Sequence, residues 1–190
     1  MQGNSRSTPP SAVFDDPVAA AVARHLAFAP AASMAELAEA AGVSRATLFR
    51  RFPSRNAAVA ELCEAATRAY IRAVDAAAVD RGSAGDALTR LLSNIADIAD
   101  TVGLLGLQPL EEHVEQSLLT QAADTENAIR ALVRRGQEDG EFNVAIDPEW
   151  VLAMLTWLTV AIADSIRLGR LTPTAARRHL INSITATLCR

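Results

Sequence analysis

Residues 33–55 read SMAELAEAAGVSRATLFRRFPSR, and the order of caps, turn and charge in this stretch decides the fold. Ser33 with Glu36 three positions on is a capping box, in which each side chain satisfies an end of the helix that the backbone cannot. Met34, Leu37, Ala38 and Ala41 follow at i, i+3, i+4 and i+7, one face of a helix, and Gly42 closes it. Only Gly42 and Val43 separate this helix from Ser44, which is placed to cap a second one ending before Pro53. Two short helices joined by a glycine-containing turn make a helix-turn-helix. On the second helix Leu48 and Phe52, four apart, share an inward face that Val43 joins. Arg45, Ala46 and Phe49 project on the opposite side, with Thr47, Arg50 and Arg51 around the rim.

The charge in this stretch runs against that of the chain. The 190 residues carry a net charge of −4, yet residues 44–55 contain four arginines and no acid. A polyanion-binding surface is therefore local. All 18 basic residues are arginine, so every cationic contact is a planar guanidinium that grips phosphate or a guanine edge with two prongs. Half the residues are hydrophobic, enough for a sizeable core. Cys63 and Cys189 are single and far apart, with no metal-ligand spacing, which fits reduced thiols in a cytoplasmic protein. Nothing in the pattern calls for a cofactor or a metal. PVAAAVARHLAFAPAAS imitates a leader only faintly, because Asp15 and Asp16 precede it and Arg24 and His25 interrupt it. The apolar run Trp150 to Ala163 falls short of the roughly 20 residues a membrane span needs, and reads as a buried helix.

Outside the helix-turn-helix the pattern is helical throughout, and the expected class is all-α. Residues 1–14 read as a loose arm, and Asp16-Pro17 starts a helix running to about Phe28. Further helices are expected over Asn56–Val79, Asp86–Asp100, Pro109–Leu119, Asp124–Arg135, Pro148–Leu168 and Pro173–Leu188. The expected division is an arm at 1–14, the helix-turn-helix with its neighbouring helices at 15–60 and the remaining helices at 61–190.

A recognition helix lies in the major groove with its N-terminal residues at base edges, while flanking donors hold phosphates. Arg45 is placed to reach a guanine edge and Ala46 to meet a thymine methyl. Arg50, Arg51 and Arg55 are better placed for phosphates. SMAELAEAAGVSRATLFRRFPSRNAAV resembles, over about thirty residues, the DNA-binding segment of the TetR/AcrR (tetracycline-repressor-like) transcriptional regulators, whose pattern runs IA..AGVS, TLYRHF, PSKEAL. The resemblance gives Ser44 the cap, Arg45, Ala46 and Thr47 the base-facing positions, Phe49 and Arg51 the phosphate-facing Tyr and His positions, and Arg55 the position of that segment's lysine. Phe49 lacks the tyrosine hydroxyl, and Arg51 stands ready to compensate with a permanent charge. HLAFAPAASM also lacks the usual Gly-aromatic pair and is shorter.

RRGQEDGEFNVAIDPEWVLAMLTWLTVAI resembles the family's G...GEF....DP turn before the penultimate helix. The resemblance implies a dimer that binds double-stranded DNA at a palindromic operator, most simply a repressor released by a small-molecule effector. Pairing the last two helices with those of a second chain would account for apolar Trp150, Val151, Leu155, Leu158, Ile162, Leu180, Ile184 and Leu188. Burial within one chain is the alternative. Leu92, Ile95, Leu110, His113, Val114, Ile129, Met154 and Trp157 come from helices that surround the family's effector cavity, with His113 as a polar anchor and Trp157 as a flat wall. An enzyme is not expected, since no nucleophile with its base, metal constellation or phosphate-cradling loop is legible. A helical adaptor with a vestigial helix-turn-helix remains the alternative function.

Overall fold

The computed structural model describes residues 13–99, 103 and 108–189. The described residues form eight α-helices: α1 Pro17–Leu26, α2 Met34–Ala40, α3 Arg45–Arg51, α4 Arg55–Ala77, α5 Ala84–Asp97, α6 Gln116–Glu138, α7 Pro148–Arg167 and α8 Pro173–Leu188. A 3-10 turn at Leu110–Glu112 precedes α6, and among the described residues the β-structure is one isolated bridge, Phe142 to Cys189. Most of the loose arm expected over 1–14 lies outside the described residues. Phe14 is described, and it packs against the first core.

Two apolar cores divide the molecule. The first joins α1, α2, α3 and the beginning of α4 through Val22, Leu26, Leu37, Leu48, Phe52, Val59 and Leu62, with Val114 and Leu118 arriving from farther along the chain. The second joins the end of α4 to α5, α6, α7 and α8 through Val74, Leu88, Leu92, Ile129, Leu155 and Ile184. Helix α4 is thus 23 residues long and belongs to both cores. Asp16 caps α1 by accepting from Val18 N at 2.9 Å, with Pro17 in the first turn as expected.

The sequence pattern suggests two helices over Pro109–Leu119 and Asp124–Arg135; the structure has one, α6, of 23 residues after the 3-10 turn. Asp124 does not start a helix there, because no glycine or proline interrupts the run from Gln116 onward. The hydroxyls of Thr120 and Thr125 instead donate back to the carbonyls of Gln116 and Gln121, at 2.9 and 2.8 Å, and leave the helix continuous.

The GEF turn after α6 is a three-part joint. Gly140 adopts φ +75°, a left-handed conformation natural to glycine. The carboxylate of Glu141 then accepts from the backbone N–H of Ala84 at 3.0 Å and of Gly85 at 2.8 Å, closing the orphan donors at the start of α5. Phe142, fully buried, lies directly on Gly136, and Asn143 N donates to Leu188 O at 2.8 Å, which ties down the end of α8. A Cβ on residue 136 would stand 2.2 Å from the Phe142 ring. Gly136→Ala is therefore expected to lower stability by about 1–3 kcal/mol through overpacking, a fall of several degrees in thermal unfolding of the full chain.

Candidate nucleic-acid interface and effector cavity

The helix-turn-helix is built by its caps. Ser33 N donates to Glu36 Oε2 at 2.7 Å while Glu36 N donates to Ser33 Oγ, completing the capping box. Gly42, at φ +65°, turns the chain, and Ser44 Oγ accepts from Thr47 N at 3.1 Å to start α3. The Thr47 hydroxyl is 2.9 Å from Ser44 Oγ, so it faces back along the helix rather than outward. Leu48 and Phe52 are buried in the first core, with Val43 partly buried beside them. Burying a side chain of this size is worth about 1.5–3 kcal/mol, so the two together fix which side of α3 faces solvent. The outward side carries Arg45, Ala46, Phe49 and Arg50, all exposed.

Arg51 and Arg55 do not stand free for phosphate as the sequence suggests; both are engaged within the chain. Arg51 Nε donates to Asp16 Oδ2 at 2.6 Å, Nη1 donates to Glu61 Oε2 at 3.0 Å, and Nη2 donates to Glu61 Oε1. Its guanidinium also lies over the Phe52 ring, 4.3 Å from the centroid. The hydrogen bond from Arg51 is the main reason that the Asp16 carboxyl is held below its ordinary value. Arg51 therefore clasps α3 to the start of α1 and to α4. Arg55 Nε donates to Ala32 O at 3.0 Å and Nη2 donates to Pro30 O, holding the short α1–α2 loop. Of the four arginines in this stretch, Arg45 and Arg50 carry the charge on the outward face.

A cavity of about 410 Å³ opens between α4, α6 and α7. Ile95, Leu110 and Trp157 line it. Leu92 and Ile129 are buried in the second core instead, Val114 is buried in the first, and His113 and Met154 are not on the cavity wall. Its polar lining comes from residues not singled out from the sequence: Thr67 and Tyr70 on α4, Thr156 and Thr159 on α7, and the cluster Glu126, Arg130 and Glu149 at the rim. The i, i+4 pair of Glu126 and Arg130 was the one signal available. Glu149 lies on the next helix and joins them only in the fold.

The expected dimer residues also divide. Val151, Leu155, Ile162, Leu180, Ile184 and Leu188 are buried within the chain, because α7 packs against α8 and α6, and α8 against α5. Trp150 is on the surface, 58% exposed, and Leu158 is half-buried. Helix α7 is 20 residues long with a mean hydropathy of 1.4, apolar enough by length and composition to cross a membrane; only 28% of that window is buried. It is not the fully buried helix its apolar run suggests. Trp150, Trp157 and Ala161 lie along its uncovered side.

Residues 20–62 match the family model described as bacterial regulatory proteins, tetR family. No curated protein sequence matches the chain. Among solved structures, the TetR-like regulator LfrR from Mycobacterium smegmatis in complex with proflavine is similar at TM-score 0.63 and 21% identity, over 90% of this chain and 93% of that one. PfmR, a TetR-family transcriptional regulator from Thermus thermophilus, is similar at TM-score 0.61 and 24% identity, over 92% of this chain and 100% of that one. The ketosteroid transcriptional regulator KstR2 of Mycobacterium tuberculosis is similar at TM-score 0.65 and 15% identity, over 91% of this chain and 93% of that one. At these identities the likeness is one of fold. A capped helix-turn-helix on a helical body that encloses a cavity defines a DNA-binding transcriptional regulator. Residues 20–62 are thus similar to the tetR-family module, and the full length has the fold of the TetR-family regulators it was compared with.

Arg51→Ala leaves the Asp16 and Glu61 carboxylates without their cation and is expected to destabilise the chain by about 1 kcal/mol in urea unfolding, since the pairs are partly exposed. The Asp16 carboxyl has a depressed folded pKa, so its contribution is complete above its ordinary value of 3.8 and is lost as pH falls through the lower folded value. Asp16→Asn should therefore flatten the acid limb of the stability profile below about pH 4.

Proposed function

We propose that this chain is a repressor that binds a palindromic operator as a homodimer and lets go when a small molecule occupies the cavity between α4, α6 and α7. The proposed division is a DNA-reading unit ending near residue 60 and an effector and dimerisation unit beyond it, with α4 crossing the boundary. The observation that carries the reading is the outward side of α3: Arg45 and Ala46 exposed in the first turn, Arg50 exposed in the last, on a helix whose caps and buried face hold it rigid. Arg45 is assigned to a guanine edge and Ala46 to a thymine methyl, with Ser44, Thr47 and Phe49 framing them. Arg50 is assigned to phosphate. Arg51 and Arg55 are assigned to holding the reading head in place, because their donors already serve Asp16, Glu61, Pro30 and Ala32.

The uncovered apolar side of α7, with Trp150 and Trp157 each 58% exposed, supports a dimer seam centred on α7 and the outer face of α8. Two such chains would present two reading helices about one DNA turn apart, roughly 34–36 Å. LfrR, with the same fold, was solved in complex with proflavine, which supports reading the cavity as an effector site. Release then follows from population shift: an effector that favours a dimer with its reading heads apart weakens DNA by the factor by which DNA weakens the effector.

Selection from a random DNA pool should recover a palindrome; a pool with no symmetric motif would defeat the reading. Arg45→Ala should lose about 1–3 kcal/mol of discrimination at one base pair of each half-site. Arg50→Ala should reduce the slope of log affinity against log salt by about 0.9 per chain, while Arg51→Ala leaves that slope unchanged. A vestigial helix-turn-helix would show neither effect. Light scattering at micromolar concentration should give the mass of two chains, and a monomer there would remove the symmetric operator with it.

A further inference from the structure

Helix α1 is held by an arginine at each end. At its start, Asp16 receives Arg51 Nε from α3 at 2.6 Å. At its far end the guanidinium of Arg167, from the last turn of α7, lies over the Phe28 ring, 4.5 Å from the centroid. Arg167 is itself aimed: its Nε and Nη2 both donate to Asp164 Oδ1, at 3.1 and 2.6 Å, one turn back on α7. The ring beneath it packs on the first core, so a charge carried by the body rests on a side chain anchored among α1, α2, α3 and the beginning of α4. Beside this contact the two helices approach closely. Ala27 and Ala163 are buried, and both face Gly103, where a Cβ would stand 4.0 Å from the Ala27 Cβ and 3.7 Å from the Ala163 Cβ.

The first core meets the rest of the chain at two other places, along α4 and at Val114 and Leu118 beside the start of α6. Two attachments leave a rotation about the line that joins them, and a third one off that line removes it. Helix α7 brings a third attachment, and it also carries the exposed Trp150 and Trp157 of the proposed dimer seam. Resting on that dimeric, operator-binding reading, we propose that Arg167, acting through Phe28, is a positioning residue: it fixes α3 relative to the seam, and with it the half-site spacing that two chains accept together. The route is short. Trp157 and Arg167 are ten residues apart on α7, about 15 Å, and the ten residues of α1 span about the same length back to Asp16 and the Arg51 clasp on α3. Arg45 is assigned to the base, and Arg167 to where the second copy of that base must lie.

The operator recovered by selection, and two versions with one central base pair added or removed, separate positioning from a merely structural contact. One base pair moves a half-site by about 3.4 Å and turns it by about 35°. The wild-type chain should prefer the selected spacing by at least about tenfold in affinity. In Arg167→Gln, and in Phe28→Leu, which keeps an apolar side chain on the core, that preference should fall to about threefold or less. Discrimination at the base pair read by Arg45 should stay as it was. Arg167→Lys and Phe28→Tyr keep a cation above a ring and should keep most of the spacing preference. Unfolded chain binds none of the three DNAs, so a variant that is partly unfolded still reports the ratio, whereas a contact that only stabilises the fold would weaken all three alike.

A second readout needs no DNA. Nitroxide labels at Glu39→Cys, an exposed site on α2, report the separation of the two reading heads by pulsed electron spin resonance in a Cys189→Ser chain, with buried Cys63 left in place. The distance distribution should broaden in Arg167→Gln and not in Arg167→Lys. An unchanged spacing ratio in Arg167→Gln and Phe28→Leu, a wild-type chain indifferent to spacing, base discrimination lost in step with spacing, or equal label distributions would each overturn the positioning role and leave the dimeric reading standing. A missing interchain distance, or a pool with no symmetric motif, sinks the dimeric reading itself, and the positioning role falls with it.

Discussion

The arrangement depends on one rigid element shared by two cores. Helix α4 buries Ala58, Val59, Leu62 and Cys63 in the first core and Ala73, Val74 and Ala77 in the second. Residues that far apart on an unbroken helix cannot shift independently, because each intervening turn is hydrogen-bonded to the next. Glu61, which holds Arg51 on α3, and Tyr70, on the cavity wall, are nine residues apart on this helix, about 14 Å at 1.5 Å per residue. The helix-turn-helix and the cavity thereby share one continuous helix. Near its middle Thr67, one of the few buried polar side chains, returns its hydroxyl to Cys63 O and leaves the helix intact.

Arginine does structural work throughout, and the absence of lysine makes its chemistry visible. Arg90 donates to the carbonyls of Ala77, Ala78 and Arg81, and Arg135 to those of Val79 and Asp80, so two guanidinium forks close the C-terminal end of α4 where Ala78 turns left-handed. Arg55 does the same for the α1–α2 loop. Carbonyls leaving a helix have no partner of their own, and a planar fork with several donors satisfies two or three at once where an ammonium offers a single point of charge. The loop between α1 and α2 can be short because Arg55 supplies from α4 the hydrogen bonds that a longer turn would make internally.

The same engagement explains why a cluster of positive charge in sequence is not a uniform positive surface. Arg51 lies on the rim of α3, within reach of carboxylates from both neighbours, and a half-buried guanidinium with two carboxylates at hand pairs with them. That leaves the outward face smaller and sharper in character: an arginine and a methyl group at its start, the Phe49 ring, and an arginine at its end. The link from body to reading head also has a second strand, since Arg167 at the end of α7 lies over the Phe28 ring that follows α1, 4.5 Å from its centroid.

Local chemistry was legible from the sequence alone. Ser33 with Glu36, Gly42, Ser44 and Asp16-Pro17 act within three or four residues, so the caps, the turn, the buried face of Leu48 and Phe52, and the all-helical class could be read without the fold. The continuous α6 escaped because Asp124 and Thr125 look alike in sequence whether they cap a helix or sit within one. What only the tertiary structure decided are pairings between distant residues: Asp16 and Glu61 with Arg51, Pro30 with Arg55, and Glu149 with the Glu126–Arg130 pair. The same holds for which apolar side of α7 and α8 is spent inside the chain. Periodicity shows that a face is apolar, but the element that covers it is named by packing, and an arginine's partner is chosen by distances that no local spacing encodes.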